Sequence, residues 1–442
     1  MYHLSVVNRT DDILAVTLDI DTHDTHVINP SCSETLTHKT RTSTQTLKFW
    51  NISVTEKGLQ GTEWSASVKL PRRKAFSRYE WDLIKGEPTL PFTAYRRALT
   101  KKHHQLVVFP IRSLSSFLAD MPSHLPLSSL MLPGTHNSVA FFGWPVSQCQ
   151  NPSTPLSCQF SSGIRVLDIR LSIINGVLLS YHGIYPQKLP FLDILKAVHI
   201  FLTSPAGKTE TIVLSVKQED QASLLFSQLV QKAVYNGPGG RDMWFLENRI
   251  PTLGEVRGKV VLFSRFGDGE GWENGLEGLG IHPTTWPDSS EDGFEWWLKG
   301  TQVKTHDWYD ISNFLAIPEK ASRASSILLQ PSSSTFPTLS IAFLSASSLL
   351  ALPQLAACGF GWPSWGFGVE GVNSRVGKWV LGLLSGSEAT HEDMAHKEGY
   401  FAEPRLRGWC LMDYFKEPTD IGLVRLLVEC NYRGRQGTLI LS

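Results

Sequence analysis

Two patterns of apolar and polar positions divide the chain. Up to about residue 115, short alternating runs at 13–20, 47–52 and 64–70 are separated by clusters of Thr, Asp, Ser and Gly. Period-two alternation puts one face on a core and the other in solvent, so residues 1–115 are expected to form antiparallel strands in a small sandwich-like domain. From Asp120 onward, unbroken apolar runs of strand length alternate with stretches of helical spacing, such as 191–202 and 224–234. Such runs read as strands buried on both faces, and strand-helix repetition predicts a parallel sheet with right-handed crossovers over 116–442. The candidate strands number about eight, as in a barrel. One unit is irregular, because between Arg170 and Val177 there is room only for a turn at Asn175-Gly176. The predicted fold class is therefore α/β: a distorted (β/α)8 TIM-type barrel preceded by a small all-β domain.

The ends of the apolar runs carry the chemistry. The run 127–132 reads as a short buried strand that Pro133-Gly134 terminates, leaving His136 just past its carboxyl end. The run 177–181 closes in the same way on His182-Gly183. Two histidines in one setting suggest an acid/base pair. The other runs end in charge: 164–167 before Asp168 and Arg170, 211–216 before Lys217, 259–264 before Arg265, 301–306 before Asp307, and 409–412 before Asp413. Charged groups at the carboxyl ends of parallel strands are the raw material of a barrel active site.

Composition narrows the partners. Lys+Arg and Asp+Glu are both 41, so a net charge of zero gives no reason to expect nucleic acid. Arg72, Arg73 and Lys74, with Arg96, Arg97, Lys101 and Lys102, make the first domain locally basic, which fits a solvated face or an anionic membrane surface. Met1 to Arg9 lacks a basic segment followed by an apolar one, so no signal peptide is read. The apolar stretch 339–360 contains Ser, Pro and Gln and is expected to be a strand followed by a helix, not a membrane span. A cytoplasmic or peripheral-membrane location follows. Cys149 and Cys158 flank a Pro-rich loop and would pair only in an oxidising compartment; the other four cysteines have no metal spacing.

Two aromatic stretches stand apart. Residues 267–300 hold Trp272, Trp286, Trp296 and Trp297 without clear periodicity, and 359–367 holds Trp362 and Trp365. Packing between loops explains both; an amphipathic rim at a lipid interface is the functional alternative. The last element, from Thr419-Asp420 to Tyr432, is expected to be a capped helix that closes the barrel.

Together the segments 132–138, 163–170, 181–183, 213–217, 257–262, 306–309 and 408–414 resemble the phosphatidylinositol-specific phospholipase C superfamily, specifically its X-domain-like phosphodiesterases of the bacterial, metal-independent type. The resemblance runs from about Leu125 to Asn431 and implies a distorted barrel. It also implies roles: His136 as general base on the inositol 2-hydroxyl, oriented by Asp413; His182 as general acid for the diacylglycerol oxygen; Arg170, held by Asp168, on the phosphoryl oxygens. Lys217, Arg265 and Asp307 match positions that bind inositol hydroxyls, and Tyr309 matches a ring that stacks under the sugar. The products implied are diacylglycerol and a cyclic inositol phosphate. Calcium-dependent relatives need several oxygen ligands, and Arg170 and Lys217 stand at two of those positions, so no metal and no other cofactor is expected.

Two departures leave the head group open. Asn137 replaces an Asp of the bacterial pattern near the scissile phosphate, and His306 replaces a common Gln. The leading expectation is a phosphodiesterase acting on a phospholipid at a membrane surface. Another phosphodiester head group, or a catalytically weak lipid-binding relative, remains open, and nothing in the sequence speaks to oligomeric state.

Overall fold

The structure, a computed structural model, describes residues 2–18, 25–38, 45–55, 58–70, 81–84, 91–219, 224–267, 279–330, 336–348, 351–363, 367–386 and 405–434. Arg72, Arg73, Lys74, Trp272 and Trp365 lie outside them. Two compact units are distinguished. One holds residues 1–112 together with pieces of 362–367 and 381–393; the other holds the rest from Ser113.

Between Tyr2 and Pro110 the described elements are all strands, in two sheets. The five-stranded sheet runs Ser33–His38, Tyr2–Asn8, His103–Pro110, Phe92–Ala98, Asp82–Ile84; the four-stranded sheet runs Thr25–Ile28, Ile13–Leu18, Gln45–Thr55, Gly58–Leu70. Both feed one buried cluster that includes Leu4, Val6, Leu14, Val16, Phe49, Phe92 and Leu106. The strand pairs among these described residues are antiparallel, with one exception. Tyr2–Asn8 pairs with His103–Pro110 in parallel.

The second unit is built on a curled sheet of mixed α/β type. We label its parallel core β1 (Met131–Thr135), β2 (Val166–Ile174), β3 (Ile212–Gln218), β4 (Val260–Arg265), β5 (Thr301–His306), β6 (Thr338–Phe343) and β7 (Gly408–Met412). The ladder runs β4-β3-β2-β1-β7-β6-β5. Among the described residues no ladder joins β4 to β5. That flank carries instead a Phe263–Ile281 bridge and the strand Phe294–Leu298, which turns back antiparallel on β5. Inside, Val166, Val213, Val261, Val303, Ile341 and Leu411 meet in one core. Outside, helix Phe191–Thr203 buries Phe191, Ile194, Leu195, Val198 and Leu202, the 3.6-residue stripe that its spacing predicts.

Several expectations are corrected. Pro133-Gly134 lies within β1, and the predicted strand at 127–132 begins as a single turn at Leu127–Ser129. Gly134 allows this: a Cβ there would stand 2.7 Å from that of Val166, so only glycine lets β1 and β2 approach. Val177–His182 is not a barrel strand. Asn175 and Gly176, with φ of 51° and 75°, make a tight turn that folds it antiparallel onto β2. Thr419-Asp420 does not cap the last helix, which starts at Leu423 after Gly422 at φ 62°. The stretch 339–360 does become strand and helix, β6 and Pro353–Cys358. The barrel's amino end is tied by Arg165, wholly buried, whose Nε donates to Glu210, Nη1 to the carbonyls of Phe160 and Ile164, and Nη2 to those of Leu114 and Ser115.

Candidate active site

At the carboxyl ends of the strands lies a cavity of about 470 Å³ lined by His136, Arg170, His182, Lys217, Arg265, Asp307, Tyr309 and Asp413, among others. Eight of the ten residues singled out in the sequence therefore share one space. Asp168 and Asn137 lie just behind its wall, at 0% and 2% exposure.

His136 is placed by backbone on both sides. Its N–H donates to Met412 O at 3.0 Å, and its own carbonyl accepts from Gln150 Nε2 at 2.9 Å. Nδ1 is 2.8 Å from Asp413 Oδ1, and Arg170 Nη2 donates to Nε2 at 2.7 Å. An arginine cannot accept, so Nε2 bears the lone pair and Nδ1 the proton that it gives to Asp413.

Arg170 is the hub. Nε donates to Asp168 Oδ2 at 3.1 Å and Nη1 to Glu219 Oε1 at 3.1 Å. Burial works against its charge, but Asp168 and Glu219 outweigh that and raise its pKa. Burial likewise disfavours an ionised Asp168, yet Arg170 and Arg265 hold its carboxyl below the usual range. Asp168 Oδ2 also accepts from the N–H of Asn137, a residue at φ 43°, which Asn tolerates well. The Asn137 side-chain nitrogen has no partner among the described residues.

His182 reaches the cavity from the hairpin. Leu171 pairs with Ser180, which carries His182 back alongside Arg170. Its Nδ1–H donates to Ser147 O at 2.9 Å, and its ring meets that of His136 edge-on at 6.2 Å between centroids. Burial, then the charge of Arg170, lowers its pKa to about 4. Arg170, followed by burial, brings Lys217 down to about 8.

On the far wall Arg265 Nη1 donates to Asp168 Oδ1 at 3.2 Å, and its guanidinium lies 4.0 Å over the Trp286 ring. Trp286 Nε1 in turn donates to Asp307 Oδ2 at 2.9 Å. Tyr309 OH donates to Asp288 Oδ1 at 2.6 Å. His306 stands apart from the cavity lining, its Nε2–H given to Glu291 O at 3.1 Å.

Glu219, Cys149 and Ser345 also line the cavity and were not singled out for it. Glu219 was legible, since Ser215, Lys217 and Glu219 fall at two-residue spacing on one side of a strand. The hydrophobic pattern ends at Lys217, although Glu219 N still donates to Leu171 O at 2.8 Å. Cys149 and Cys158 are both free: Cys149 Sγ lies 3.7 Å from His182 Nδ1, while Cys158 accepts from Lys416. Among the described residues, the three-donor group His136, Cys149 and Asp413 has ligand atoms within 4.8 Å of one another. Arg170 engages one oxygen each of Asp168 and Glu219, and Arg265 the other oxygen of Asp168.

Fold and site thus define a curled α/β barrel with two facing imidazoles and an arginine at the carboxyl ends of its strands. No family model matches the chain. It is 30% identical over 162 residues to 1-phosphatidylinositol phosphodiesterase of Listeria monocytogenes, covering 34% of this chain and 48% of that protein. It is 27% identical over 176 residues to the Staphylococcus aureus protein of the same name, covering 35% and 52%. The chain thus spans about half the length of the curated relatives it matches. A crystal structure of phosphatidylinositol-specific phospholipase C from S. aureus superposes with a TM-score of 0.54 at 20% identity, covering 72% of this chain and 98% of that one, a likeness of fold. The similarity, in sequence and in fold, is to the phosphatidylinositol-specific phospholipase C superfamily.

Proposed function

We propose that the chain is a phosphodiesterase of the phosphatidylinositol-specific phospholipase C type, cleaving phosphatidylinositol or a related inositol phospholipid without a metal. The observation that carries this reading is the pair of imidazoles 6.2 Å apart, one poised by Asp413 to accept a proton, with Arg170 beside them. His136 Nε2 takes the proton of the inositol 2-hydroxyl, which then attacks the phosphorus and leaves a cyclic phosphate. Arg170 now donates to that same Nε2, so the hydroxyl must displace this bond; the guanidinium then serves the phosphoryl oxygens as charge gathers on them. Asp168 and Glu219 keep Arg170 in place. His182 gives its proton to the departing diacylglycerol oxygen. Arg170 is one cause of its low pKa, and a bound phosphodiester anion offsets that charge, returning His182 toward the range a general acid needs. Lys217, Arg265, Asp307 and Tyr309 contact the inositol ring.

One feature supports work at a membrane surface. Trp144 and Ile184 are 70% and 82% exposed, next to the cavity-lining Val146 and Gly183, so apolar side chains ring the mouth. No helix among the described residues is long and apolar enough to cross a membrane. We take residues 1–115 as a sandwich-like domain of their own, consistent with two sheets sharing one core.

Release of cyclic inositol phosphate from phosphatidylinositol vesicles in saturating chelator tests the reading. Turnover there supports it. Turnover only with added metal overturns the metal-free mechanism; no turnover on inositol lipids, with activity on another phosphodiester, overturns the head group.

A further inference from the structure

The proposed mechanism gives work to His136 and Asp413 and none to the cysteine that lines the cavity with them. Cys149 is wholly buried, yet it borders the cavity beside both His136 and Asp413. Its place is fixed by main chain. Cys149 N donates to Ala140 O at 3.0 Å, and Tyr414 N donates to Cys149 O at 2.8 Å, pinning the residue next to Asp413. Gln150 adds a staple, its Nε2 bonded to the carbonyls of His136 and Met412 at 2.9 Å each. The same few residues of backbone therefore hold the imidazole, the thiol and the carboxylate together.

The contacts within the group are of a particular kind. His136 Nδ1–H donates to Asp413 Oδ1 at 2.8 Å, and the thiol of Cys149 is buried beside that pair. The ligand atoms of all three lie within 4.8 Å of one another. In a tetrahedral zinc site, bonds of about 2.0–2.3 Å put neighbouring ligand atoms roughly 3.3–3.8 Å apart. The 2.8 Å bond from His136 to Asp413 has to open by about half an ångström, and the longest separation to close by about one.

We infer that His136, Cys149 and Asp413 form a binding site for a borderline-soft divalent ion, Zn²⁺ being the type, and that filling it blocks the proposed base. One imidazole nitrogen, one sulfur and one carboxylate oxygen suit zinc and not calcium or magnesium, which take oxygen alone. The thiolate and carboxylate together balance the charge of the dication. The thiol proton leaves to solvent as the metal–sulfur bond forms, and His136 changes tautomer: Nδ1 takes the metal, its proton passes to Nε2, and the Arg170 N–H that now donates there turns away. Three protein ligands leave a fourth position toward the cavity, where water completes the shell. Arg170 is close by, and Asp168 and Glu219 already counter it; the buried Lys320 amine also acts on Asp413. A metal so placed takes the carboxylate away from His136, and the hydroxyl loses its acceptor. The inhibitory consequence rests on the proposed function; the binding does not.

The test uses the full chain and Co²⁺, whose bond to a thiolate gives a near-ultraviolet charge-transfer band. One Co²⁺ per chain, with that band, displaced by Zn²⁺ and absent from Cys149→Ser, is the expected result. With wild type and Cys149→Ser each referred to its own zinc-free rate, the Zn²⁺ concentration for half inhibition should rise at least tenfold in the variant. Asp413→Asn, read by cobalt affinity alone, should also bind at least tenfold more weakly. If serine unfolds the chain, Cys149→Ala takes its place. A folded wild type without the band, or equal zinc inhibition of wild type and Cys149→Ser, overturns the site. If the chain has no activity on inositol lipids, the cobalt titration still decides whether the site exists.

Discussion

His136 and Asp413 stand 277 positions apart in sequence and 2.8 Å apart in space, joined through Nδ1–H and Oδ1. The contact exists because β1 and β7 pair in parallel, Thr135 against Met412, so that the next residue of each emerges at the same level. It is the first relationship to break experimentally. His136→Ala and His182→Ala should each lower turnover of phosphatidylinositol vesicles by about 10²–10⁴-fold. Asp413→Asn should lower kcat with little change in KM, because it touches the base and not the lipid. A KM effect of similar size would place Asp413 in binding.

Arg170→Lys tests geometry at constant charge. A lysine cannot span Asp168, Glu219 and His136 at once, so kcat should fall by about 10²–10³-fold. Recovery to within a few-fold of wild type would mean that charge alone is needed there.

Two histidines set the response to acid. His182 and His306 both have pKa values lowered to about 4, the first mainly by burial and then Arg170, the second mainly by burial and then Lys320. Between the ordinary histidine value near 6.5 and about 4, the unfolded chain binds protons that the folded chain refuses. Stability should therefore fall as pH drops through that window. His306, only 1% exposed, can account for up to about 3 kcal/mol. Thermal midpoints between pH 7 and 4 would show this slope, and His306→Gln should flatten it. By NMR, His182 should titrate near 4 in the free chain and move upward when a soluble inositol phosphate is added.

Lys320 is fully buried on helix Ile317–Ser326, and its Nζ has no hydrogen-bond partner among the described residues. Burial brings its pKa down to about 7, against the pull of Asp307 and Asp413. The folded value lies below the unfolded one, so the cost is greatest at pH 7 and below and disappears toward pH 10. Lys320→Met should stabilise the chain by about 1–4 kcal/mol near pH 7, with the gain shrinking as pH rises. A destabilised variant would imply that the amine is satisfied by water and structurally required.

The aromatic residues separate into two roles. Trp296 is 3% exposed and belongs to the core, which overturns its place on a lipid-facing rim; Trp297 is half exposed. Trp296→Ala should cost about 3–5 kcal/mol and depress activity on vesicles and on a soluble short-chain substrate alike. Trp144→Ala should weaken vesicle binding and spare the soluble substrate. Equal loss on both substrates would remove Trp144 from the interface.

Much of this site was legible because parallel strands end where their apolar runs end. His136, Asp168, Arg170, Lys217, Arg265, Asp307 and Asp413 each follow or close such a run, and the fold gathers those ends. What the pattern hid was direction. Val177–His182 has the apolar texture of its neighbours, and only the two positive-φ residues at Asn175-Gly176 mark it as a returning strand. Glu219 was missed because hydrogen-bonded pairing outlasts hydrophobicity by several residues. Trp286 and Trp296 could not be told apart by composition, since one covers an arginine in the cavity and the other fills the core three residues from the turn of its hairpin.

Arg165 and Arg170 lie five residues apart, at opposite ends of the barrel, and differ in how fully they are used. A guanidinium has five N–H groups. Arg165 spends all of them, on Glu210 and four carbonyls. Among the described residues Arg170 gives three, to Asp168, Glu219 and His136. One arginine is saturated and can only brace. The other retains two donors' worth of unspent valence at the edge of the cavity, in the directions its three anchors leave open, and an oxyanion arriving there meets capacity that the fold has already oriented.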